Sequence, residues 1–291
     1  MRRFLPLILI SVLACSCSVA RYARGPRTEE VLASNTGRGI LESVDYPSRE
    51  AGLSHRRMTV YLPEGYYRDT LRRYPALYLL HGARGNEVTW IDSADVLRGL
   101  DSLRAERKAA DFILVMPNVN NYFGDKDYKD GHPVNAVRAF WTVDGEVERH
   151  FVHDVVCRVD SLYRTVPDKS GRAVAGMSSG ALQSLYLFAS NPDTFGYVGL
   201  FSPYAYPSIA AIGHPDVYGG LWRKLESRFA DPPRDFGIYI GKTDFFYPHM
   251  VLFDRKLTRK GYPHRFIVAE GGHEWYNWSD FYLDFCQQVF R

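Results

Sequence analysis

Residues 171–182 read GRAVAGMSSGAL, and residues 176–180 within them form a G-x-S-x-G pentapeptide centred on Ser178. A short apolar run precedes the pentapeptide, and an apolar stretch with helical spacing follows it. This order predicts a strand, a sharp turn and a helix, because small residues let the chain turn tightly and leave the Ser178 hydroxyl exposed. Since Gly and Ser are also common in ordinary turns, the interpretation of Ser178 as a nucleophile depends on what the rest of the chain supplies.

Short apolar runs alternate with amphipathic segments on both sides of this turn. The predicted strands are 57–62, 75–80, 111–117, 172–176, 197–202, 236–241 and 264–269, and the predicted helices are 149–163, 179–190, 249–260 and 277–290. This alternation indicates an α/β fold, in which a mostly parallel central sheet carries helices on both faces. Ligands of such sheets bind at the carboxyl ends of the strands, so polar residues directly after a strand are the candidates for a site.

Two residues in such positions complete a candidate catalytic set. Asp244 follows the sixth predicted strand, and His273 follows the seventh after a pair of glycines. A serine hydroxyl needs a histidine base that is oriented by a carboxylate, and the chain order Ser178, Asp244, His273 suits this chemistry. The alternatives are that Asp244 only caps a turn or helix, or that His273 only packs on Trp275. Glu270 is the rival acid, although it lies close to the histidine along the chain.

The tetrahedral intermediate of acyl transfer needs two donors for its oxyanion. The backbone N–H of Ser179, directly after the nucleophile, is the first predicted donor. The backbone N–H of Ala83, in the loop after the strand 75–80, is the second. His81 in the same loop is interpreted as a structural residue that shapes the loop, because it directly follows a buried strand.

The first residues predict an export signal. Arg2 and Arg3 precede an apolar run over residues 4–14 that is too short to span a bilayer as a finished helix. The run ends in VLAC, which is similar to a bacterial lipobox and makes Cys15 the predicted lipidation site, with Cys17 as the second choice. A plain secretory signal and an uncleaved anchor are the alternatives.

Three segments follow from this prediction: a lipoprotein signal peptide over 1–14, a flexible tether over 15–38 and one catalytic domain over 39–291. We therefore expect a membrane-anchored protein of the bacterial cell envelope, periplasmic or at the surface. Loss of Arg2 and Arg3 with the signal lowers the formal net charge from +3 to +1. The chain contains no Lys/Arg-rich stripe, so nucleic acid is not a predicted partner.

Cysteine and histidine spacing gives little support for a metal site. No C-x-x-C occurs in the body of the chain, which argues against a zinc ribbon or a redox dithiol. His150 and His153 form an H-x-x-H pair on the polar face of a predicted helix, where a solvated pair is the ordinary interpretation and no third ligand is evident. We therefore predict no metal and no organic cofactor.

Together these motifs resemble the esterase branch of the α/β-hydrolases, which includes feruloyl esterases, esterase D and the mycobacterial mycolyltransferases. The resemblance covers about residues 40–290 and is carried by YLLHG at 78–82 with Asn86 and Trp90, the pentapeptide at 176–180, FG at 195–196 before FS at 201–202, GKTD at 241–244, and GH at 272–273 with Trp275 and Trp278. It implies an α/β-hydrolase fold with Ser178 as nucleophile, His273 as base and Asp244 as acid. Ala83 and Ser179 would then form the oxyanion hole.

The resemblance also implies a function. We expect a serine carboxylic-ester hydrolase that acts through an acyl-enzyme on a small-molecule or oligosaccharide ester, such as a feruloyl or acetyl ester of a carbohydrate. The alternatives are an acyltransferase with the same triad and a non-catalytic surface lipoprotein that binds glycans. Candidate substrate-binding aromatics are Tyr122, Phe123, Trp141 and Tyr204. The first three lie in the long loop 118–148, which matches a region that borders the substrate in feruloyl-esterase-like members.

Two further expectations concern the acyl-group specificity and the cysteines. Bulky aromatics over residues 202–207 stand where relatives often have small residues, so acyl-group specificity is not transferred. In this fold the helix before the nucleophile strand and the final helix cover opposite faces of the sheet. Cys157 and Cys286 should therefore be far apart, and we predict no disulfide between them.

Overall fold

A computed structural model describes residues 28–33, 37–49, 55–83, 85–119, 128–129, 132–133, 145–205 and 215–291. Its strands are β1 (Ile40–Pro47), β2 (His55–Leu62), β3 (Ala76–Leu80), β4 (Ile113–Pro117), β5 (Tyr128–Lys129), β6 (His132–Pro133), β7 (Arg172–Met177), β8 (Tyr197–Phe201), β9 (Asp235–Gly241) and β10 (Arg265–Ala269). Its helices are α1 (Thr28–Ala33), α2 (Thr89–Ala94), α3 (Val96–Ala105), α4 (Glu146–Phe151), α5 (Cys157–Leu162), α6 (Ser179–Ser190), α7 (Pro215–Tyr218), α8 (Leu221–Phe229), α9 (Tyr247–Arg259) and α10 (Trp275–Cys286). A π-helical turn, Val152–Val156, joins α4 to α5, and a 3-10 turn, Lys169–Gly171, precedes β7.

Eight strands form one sheet in the order β1-β2-β4-β3-β7-β8-β9-β10. The six strands from β4 to β10 in that order are parallel, and β2 pairs antiparallel with both β1 and β4. Strands β5 and β6 form a separate two-stranded ribbon. The prediction of an α/β fold with a mostly parallel sheet is confirmed.

The sheet separates two hydrophobic cores, because successive side chains of a strand point to opposite faces. On β3, Tyr78 and Leu80 belong to one core, whereas Leu77 and Leu79 belong to the other. Helices α4, α5, α6, α8 and α9 cover the first core. Helices α2, α3 and α10 cover the second. Helices on both faces explain why the central strands read as continuous apolar runs rather than alternating ones.

Most predicted elements lie within three residues of the observed ones at each end, and two differences are informative. The sequence pattern predicts no helix between β3 and β4, where the structure has α2 and α3. The apolar residues of these short helices face α10, so their partner lies far along the chain. The helix predicted over 149–163 begins at Glu146 and contains the π-helical turn, in which buried Asp154 accepts a hydrogen bond from the Arg49 backbone N–H at 2.9 Å.

Both cysteines of the domain are free: Cys157 is exposed, and Cys286, the last residue of α10, is buried in the second core. Helix α1 lies inside the segment predicted as a flexible tether, and its Val31 is buried against the second core, so this part of the segment packs on the domain. No helix in the described part of the chain is both long and apolar enough to cross a membrane. Cys15 and Cys17 lie outside the described residues.

Candidate active site

Ser178 lies at the carboxyl end of β7, on the turn that leads into α6. Its backbone adopts φ 53° and ψ −116°, a conformation that side-chain-bearing residues rarely take. The turn is tight because Gly176 and Gly180 lack side chains. A Cβ on Gly176 would lie 2.6 Å from the Gly180 carbonyl carbon, and one on Gly180 would lie 2.4 Å from the His81 carbonyl oxygen. The structure therefore has the strand, sharp turn and helix that the pentapeptide predicts.

Three side chains from three strand ends meet above this turn. Asp244 follows β9, and His273 follows β10. The Nε2 atom of His273 lies 3.0 Å from the Ser178 Oγ, and its Nδ1 atom lies 2.8 Å from Asp244 Oδ2. The structure thus brings together all three residues that the sequence analysis selected. The His273 side chain is 15 % exposed, so the group is accessible to a ligand from solvent.

Asp244 is 3 % exposed and is held by several donors. Burial by itself raises the pKa of this carboxyl, but the hydrogen bond and charge of His273 and the hydrogen bond from the Phe246 backbone N–H outweigh burial, and the pKa falls below its ordinary value. The Phe246 N–H lies 2.9 Å from Oδ1. Asp244 is therefore ionised at neutral pH, which is what a residue that orients a histidine base requires.

Glu270, the rival acid, faces away from this group. Its side chain is 82 % exposed and pairs with Lys242. The ring of His273 does not pack on Trp275, as the alternative interpretation has it, but on Trp278, with ring centroids 4.9 Å apart and an interplanar angle of 87°. Trp275 instead contacts Trp278 and lies one ring further from the histidine.

The two predicted oxyanion donors flank Ser178. Ser179 is the first residue of α6, where the helix leaves its leading N–H groups without intrahelical partners. Gly82 lies beside Ser178, since a Cβ on it would be 3.5 Å from the Ser178 Cβ. Within the described part of the chain, the N–H groups of Ala83 and Ser179 donate to no protein acceptor. Both are free to bind an anionic oxygen.

His81 is buried behind the Ala83 loop and is fully engaged there. Its Nε2 accepts the backbone N–H of Val119 at 3.0 Å, so the proton is on Nδ1, which donates to the Gly82 carbonyl at 2.7 Å. The Gly85 N–H donates to the same carbonyl at 3.1 Å. Because C=O and N–H point in opposite directions across a trans peptide, these bonds turn the Ala83 N–H away from them. Burial lowers the pKa of His81 to about 4, so the ring is neutral.

Aromatic side chains border His273 on its open side. The ring of Phe245 lies 4.5 Å from the histidine ring and is 53 % exposed. Phe246 lies 5.5 Å from the histidine ring, and Tyr204 stacks on Phe246 with centroids 4.9 Å apart and an interplanar angle of 29°. Tyr204, a predicted substrate-binding residue, is therefore at the edge of the group. Tyr122, Phe123 and Trp141 lie outside the described residues.

Two residues at this site were not selected from the sequence. Phe245 is one of them, although the pair of aromatics Phe245 and Phe246 directly after the strand-end acid Asp244 is a usable signal for a lined site. Ser202 appeared only in the FS pair at 201–202, at the end of β8. Its hydroxyl oxygen accepts the Trp278 indole N–H at 3.0 Å, and nothing local marks this contact because the two residues are 76 positions apart. No group of three or more His, Cys, Asp or Glu side chains in the described ranges has the geometry to hold a metal ion.

The model of the family described as "Putative esterase" matches residues 53–283. The chain belongs to this esterase family. The matched range includes Ser178, Asp244 and His273, and the mostly parallel sheet with helices on both faces is the fold of the α/β-hydrolase esterases.

Individual relatives agree with this membership. The chain is 28% identical over 258 residues to an endo-1,4-beta-xylanase/feruloyl esterase of Xylanibacter ruminicola, with 87% of the chain aligned to only 32% of that protein. The chain thus spans about a third of the length of this relative. A solved ferulic acid esterase is 25% identical, with a TM-score of 0.68 over 86% of the chain and 99% of that structure. The ferulic acid esterase of Anaeromyces mucronatus, 23% identical, shares the fold with a TM-score of 0.70 over 92% of the chain and 95% of that structure.

Proposed function

We propose that the protein is a serine carboxylic-ester hydrolase that acts on an acylated carbohydrate, such as a feruloyl or acetyl ester, through an acyl-enzyme on Ser178. The observation that carries the proposal is the chain of hydrogen bonds from Asp244 through His273 to Ser178, at 2.8 and 3.0 Å. Membership of the esterase family supports the same reaction.

In the first half-reaction, His273 Nε2 takes the hydroxyl proton as Ser178 Oγ attacks the ester carbonyl carbon. Asp244 holds the imidazole through Nδ1 and stabilises the imidazolium that forms. The N–H groups of Ala83 and Ser179 stabilise the developing oxyanion, and one such donor contributes about 2.7–4 kcal/mol to barrier lowering. The imidazolium then gives its proton to the leaving alkoxide, which departs as the alcohol.

In the second half-reaction, water occupies the place of the alcohol. His273 removes a proton from this water, whose oxygen attacks the carbonyl carbon of the acyl-Ser178 ester, and the free acid leaves as the serine oxygen is reprotonated. A sugar hydroxyl in place of water would give acyl transfer instead. Product analysis with added sugar alcohols distinguishes the two, and we expect the free acid as the main product.

The substrate class is proposed from the aromatic border of the site. Phe245 offers an exposed ring next to His273, and Tyr204 and Phe246 continue the apolar surface. A planar aromatic acyl group stacks favourably on such rings. The names of the relatives, feruloyl esterase and ferulic acid esterase, describe proteins that act on this kind of acyl group.

The reaction is tested with p-nitrophenyl acetate and methyl ferulate. The wild type should hydrolyse both esters and should be labelled by a fluorophosphonate probe on Ser178. We expect Ser178→Ala and His273→Ala to lower kcat by at least about 10³-fold while leaving the thermal unfolding midpoint nearly unchanged, because subtilisin-type triads show losses of this order or more. Equal turnover by wild type and Ser178→Ala would refute the proposal.

The assignment of Asp244 as the acid is tested against Glu270, a second acidic residue in the same region. Asp244→Asn removes the charge that orients His273, and we expect a loss in kcat of about 10⁴-fold, as in the corresponding change in a serine protease. Glu270→Gln removes the charge of the exposed rival and should leave kcat within twofold. A large effect of Glu270→Gln with retained activity in Asp244→Asn would reverse the assignment.

The aromatic acyl preference is tested by Phe245→Ala. Its ring also touches His273, so the useful readout is the ratio of kcat/KM for methyl ferulate to kcat/KM for p-nitrophenyl acetate, in which effects on the base cancel. We expect this ratio to fall about fivefold, which corresponds to roughly 1 kcal/mol for one aromatic contact. Leu252→Ala, which removes another exposed apolar side chain, should leave the ratio unchanged. An unchanged ratio in Phe245→Ala would remove the aromatic acyl group from the proposal.

We also propose that the protein is exported and lipidated at Cys15, which would anchor it to a membrane of the bacterial cell envelope. The support is the lipobox-like VLAC sequence after an apolar run. Incorporation of a labelled fatty acid that is lost in Cys15→Ala but kept in Cys17→Ala would support Cys15. The reverse pattern would move the site to Cys17, and no incorporation would refute lipidation.

A further inference from the structure

A chain of hydrogen bonds behind the Ala83 loop begins at Arg56, a residue of β2 that is 8 % exposed. Its guanidinium Nη1 donates to the Asn118 carbonyl oxygen at 3.0 Å. This carbonyl and the Val119 N–H are the two ends of one peptide group, so a bond that holds one of them also orients the other. The Val119 N–H in turn donates to His81 Nε2 at 3.0 Å.

The chain continues from His81 into the Ala83 loop. The Nδ1–H of His81 donates to the Gly82 carbonyl oxygen at 2.7 Å. This carbonyl shares its peptide group with the Ala83 N–H, which is the second predicted oxyanion donor. Every donor therefore points the same way, from the guanidinium of Arg56 to the N–H of Ala83. Because the bonds in such a series polarise one another, the Ala83 N–H should be a stronger donor than an isolated amide.

Gln183 holds this chain at a second point. It lies in α6, one helical turn after Ser179, and is 3 % exposed. Its Nε2 donates to the Val119 carbonyl oxygen at 3.2 Å, and the orientation of the amide follows because a carbonyl can only accept. Val119 is thus held at both its carbonyl and its N–H. Since Ser179 supplies the first oxyanion donor from the same helix, this bond couples the position of α6 to that of the Ala83 loop.

The chain depends on a neutral His81 ring. Nε2 accepts the Val119 N–H only while it carries no proton, so protonation of the ring would break the chain at this point. Burial above all, with a further contribution from the nearby charge of Arg56, lowers the pKa of His81 to about 4. Arg56 therefore donates at the start of the chain and also favours the neutral ring that the chain requires.

We propose that Arg56 and Gln183 are positioning residues for the Ala83 N–H. Both are buried, and both act through the backbone of Val119 and the ring of His81. The inference rests on the proposed function, since the placement of this N–H affects a rate only if an oxyanion forms beside it. The placement has to be accurate, because a displacement of about 1 Å in a catalytic group can cost about 10²-fold in rate.

Gln183→Met tests the bond to Val119, because methionine is also long and unbranched but has no donor. We expect kcat for p-nitrophenyl acetate to fall about 10-fold, less than the loss of about 10²–10³-fold on removal of an oxyanion donor itself. KM should change little. The acidic limb of the kcat/KM profile should stay in place, because the variant leaves His273 and Asp244 unaltered.

The matched control is Tyr186→Phe. It removes a buried hydroxyl of the same helix that donates to the Ala205 carbonyl at 3.2 Å. Both variants delete one hydrogen bond from α6 to a buried backbone carbonyl, so their unfolding midpoints should fall by similar amounts. Tyr186→Phe should leave kcat within twofold. An equal loss of kcat in the two variants would mean that Gln183 acts only through stability, and would overturn its positioning role.

The start of the chain is tested with Arg56→Met and Arg56→Lys. The first removes both the charge and the donor, whereas the second keeps the charge and an N–H donor on a flexible stem. We expect Arg56→Met to lower kcat about 10-fold and Arg56→Lys to restore part of that loss. If Arg56→Met does not fold, Gln183→Met provides the test.

A double-mutant cycle tests whether the effect passes through His81. We expect Gln183→Met combined with His81→Asn to lose about as much kcat as His81→Asn alone, because the link from Val119 to the Gly82 carbonyl is then already broken. Independent sites would instead give losses that multiply. Multiplied losses would overturn the inference.

An aryl trifluoromethyl ketone probes the oxyanion donors directly. Ser178 Oγ adds to its carbonyl carbon and passes its proton to His273, which leaves an oxyanion that both N–H donors stabilise. In Gln183→Met, the inhibition constant of this ketone should rise by the same factor by which kcat/KM falls. The inhibition constant of ferulate, which forms no tetrahedral adduct, should not change.

The backbone amide resonance of Ala83 provides a readout that needs no turnover. It should move in Gln183→Met and in Arg56→Met but not in Tyr186→Phe. An unmoved resonance in Gln183→Met, with kcat as in the wild type, would contradict the inference. If the wild type hydrolysed neither ester, the proposed function would be refuted, and the resonance alone would decide whether these residues position the Ala83 N–H.

Discussion

At the scale of single residues, burial separates the roles of two histidines that both follow a strand. His273 is partly exposed, with one nitrogen facing Ser178 and the other facing Asp244. His81 is buried, and both its nitrogens form hydrogen bonds with the backbone: Nδ1 donates to the Gly82 carbonyl and Nε2 accepts from the Val119 N–H. The same residue type thus serves as the candidate base in one place and as a loop anchor in the other. What differs is which atoms surround the ring.

The buried state of His81 predicts a pH dependence of stability. Its folded pKa, about 4, lies below the ordinary value of 6.5, so between these values the unfolded chain binds more protons. The stability that neutral His81 contributes is present above pH 6.5 and is lost as the pH falls toward 4. We expect His81→Asn to remove this dependence, so that the difference in free energy of unfolding between wild type and variant changes by about 3 kcal/mol over that range.

Urea denaturation at several pH values between 4 and 7.5 measures this difference. The comparison between the two proteins cancels the carboxylates that also titrate in this window. A difference that stays constant with pH would contradict the buried, neutral state of His81. His81→Asn should also lower kcat, since the Gly82 carbonyl loses one of its two donors.

At the scale of elements, the junction of β3, β7 and α6 determines where Ser178, the proposed nucleophile, lies. Helix α6 begins directly against the end of β3, because Gly180 has no side chain to separate them. This close approach places the Ser179 N–H beside the Ala83 loop. The two predicted oxyanion donors therefore depend on one helix–strand contact.

Gly180→Ala tests this junction. The added Cβ would lie 2.4 Å from the His81 carbonyl oxygen and 2.7 Å from the Leu80 carbonyl oxygen. Both are backbone atoms, so relieving these clashes requires the backbone to move. We expect a loss of about 2–3 kcal/mol in the free energy of unfolding and a clear fall in kcat as α6 shifts. Thermal denaturation and turnover of p-nitrophenyl acetate measure the two effects.

The control for this change is Gly261→Ala, after α9. Gly261 has φ +70°, but no atom lies within 4 Å of the added Cβ, so only backbone strain of about 1–2 kcal/mol is expected, with kcat unchanged. If Gly180→Ala behaved like Gly261→Ala in both measurements, the close contact between α6 and β3 would be wrong.

At the scale of the whole molecule, the sheet keeps two cores apart, and the site spans the carboxyl edge of the sheet. The acid and the base come from β9 and β10, the nucleophile from β7 and the second oxyanion donor from β3. These strands lie within the run β3-β7-β8-β9-β10 of the sheet, although their residues are far apart along the chain. The cores on both faces fix the strand ends and therefore the distances between the reacting groups.

The two cysteines report on this arrangement. Burial raises the pKa of the Cys286 thiol to about 12, whereas Cys157 is exposed. Because the thiolate is the reactive form, we expect a maleimide to label Cys157 in the native protein and to label Cys286 only after unfolding in urea. Peptide mass spectrometry of Cys157→Ala and Cys286→Ala variants assigns the label. Equal labelling of both thiols in the native state would contradict the packing of α10 on the sheet.

The sequence alone was enough to predict the alternation of strands and helices, the turn at Ser178 and the set of strand ends at which Asp244 and His273 stand. These features depend on local information: hydrophobic periodicity over a few residues, glycine at tight turns and the rule that parallel strands end at one edge. The boundaries of α6 were predicted to the residue for the same reason, since its turn and its apolar stretch are contiguous.

Other features were decided only by the tertiary structure. Helices α2 and α3 bury short apolar faces against α10, and the hydrogen bond from the Trp278 indole to the Ser202 hydroxyl joins residues 76 positions apart. The engagement of both His81 nitrogens likewise needs Val119, 38 positions away. Local patterns do not encode such contacts, because which side chains meet across a fold depends on how the sheet twists and how its layers pack. The sequence by itself therefore identified the candidate reacting groups, and the packing of the two cores determined which residues surround them.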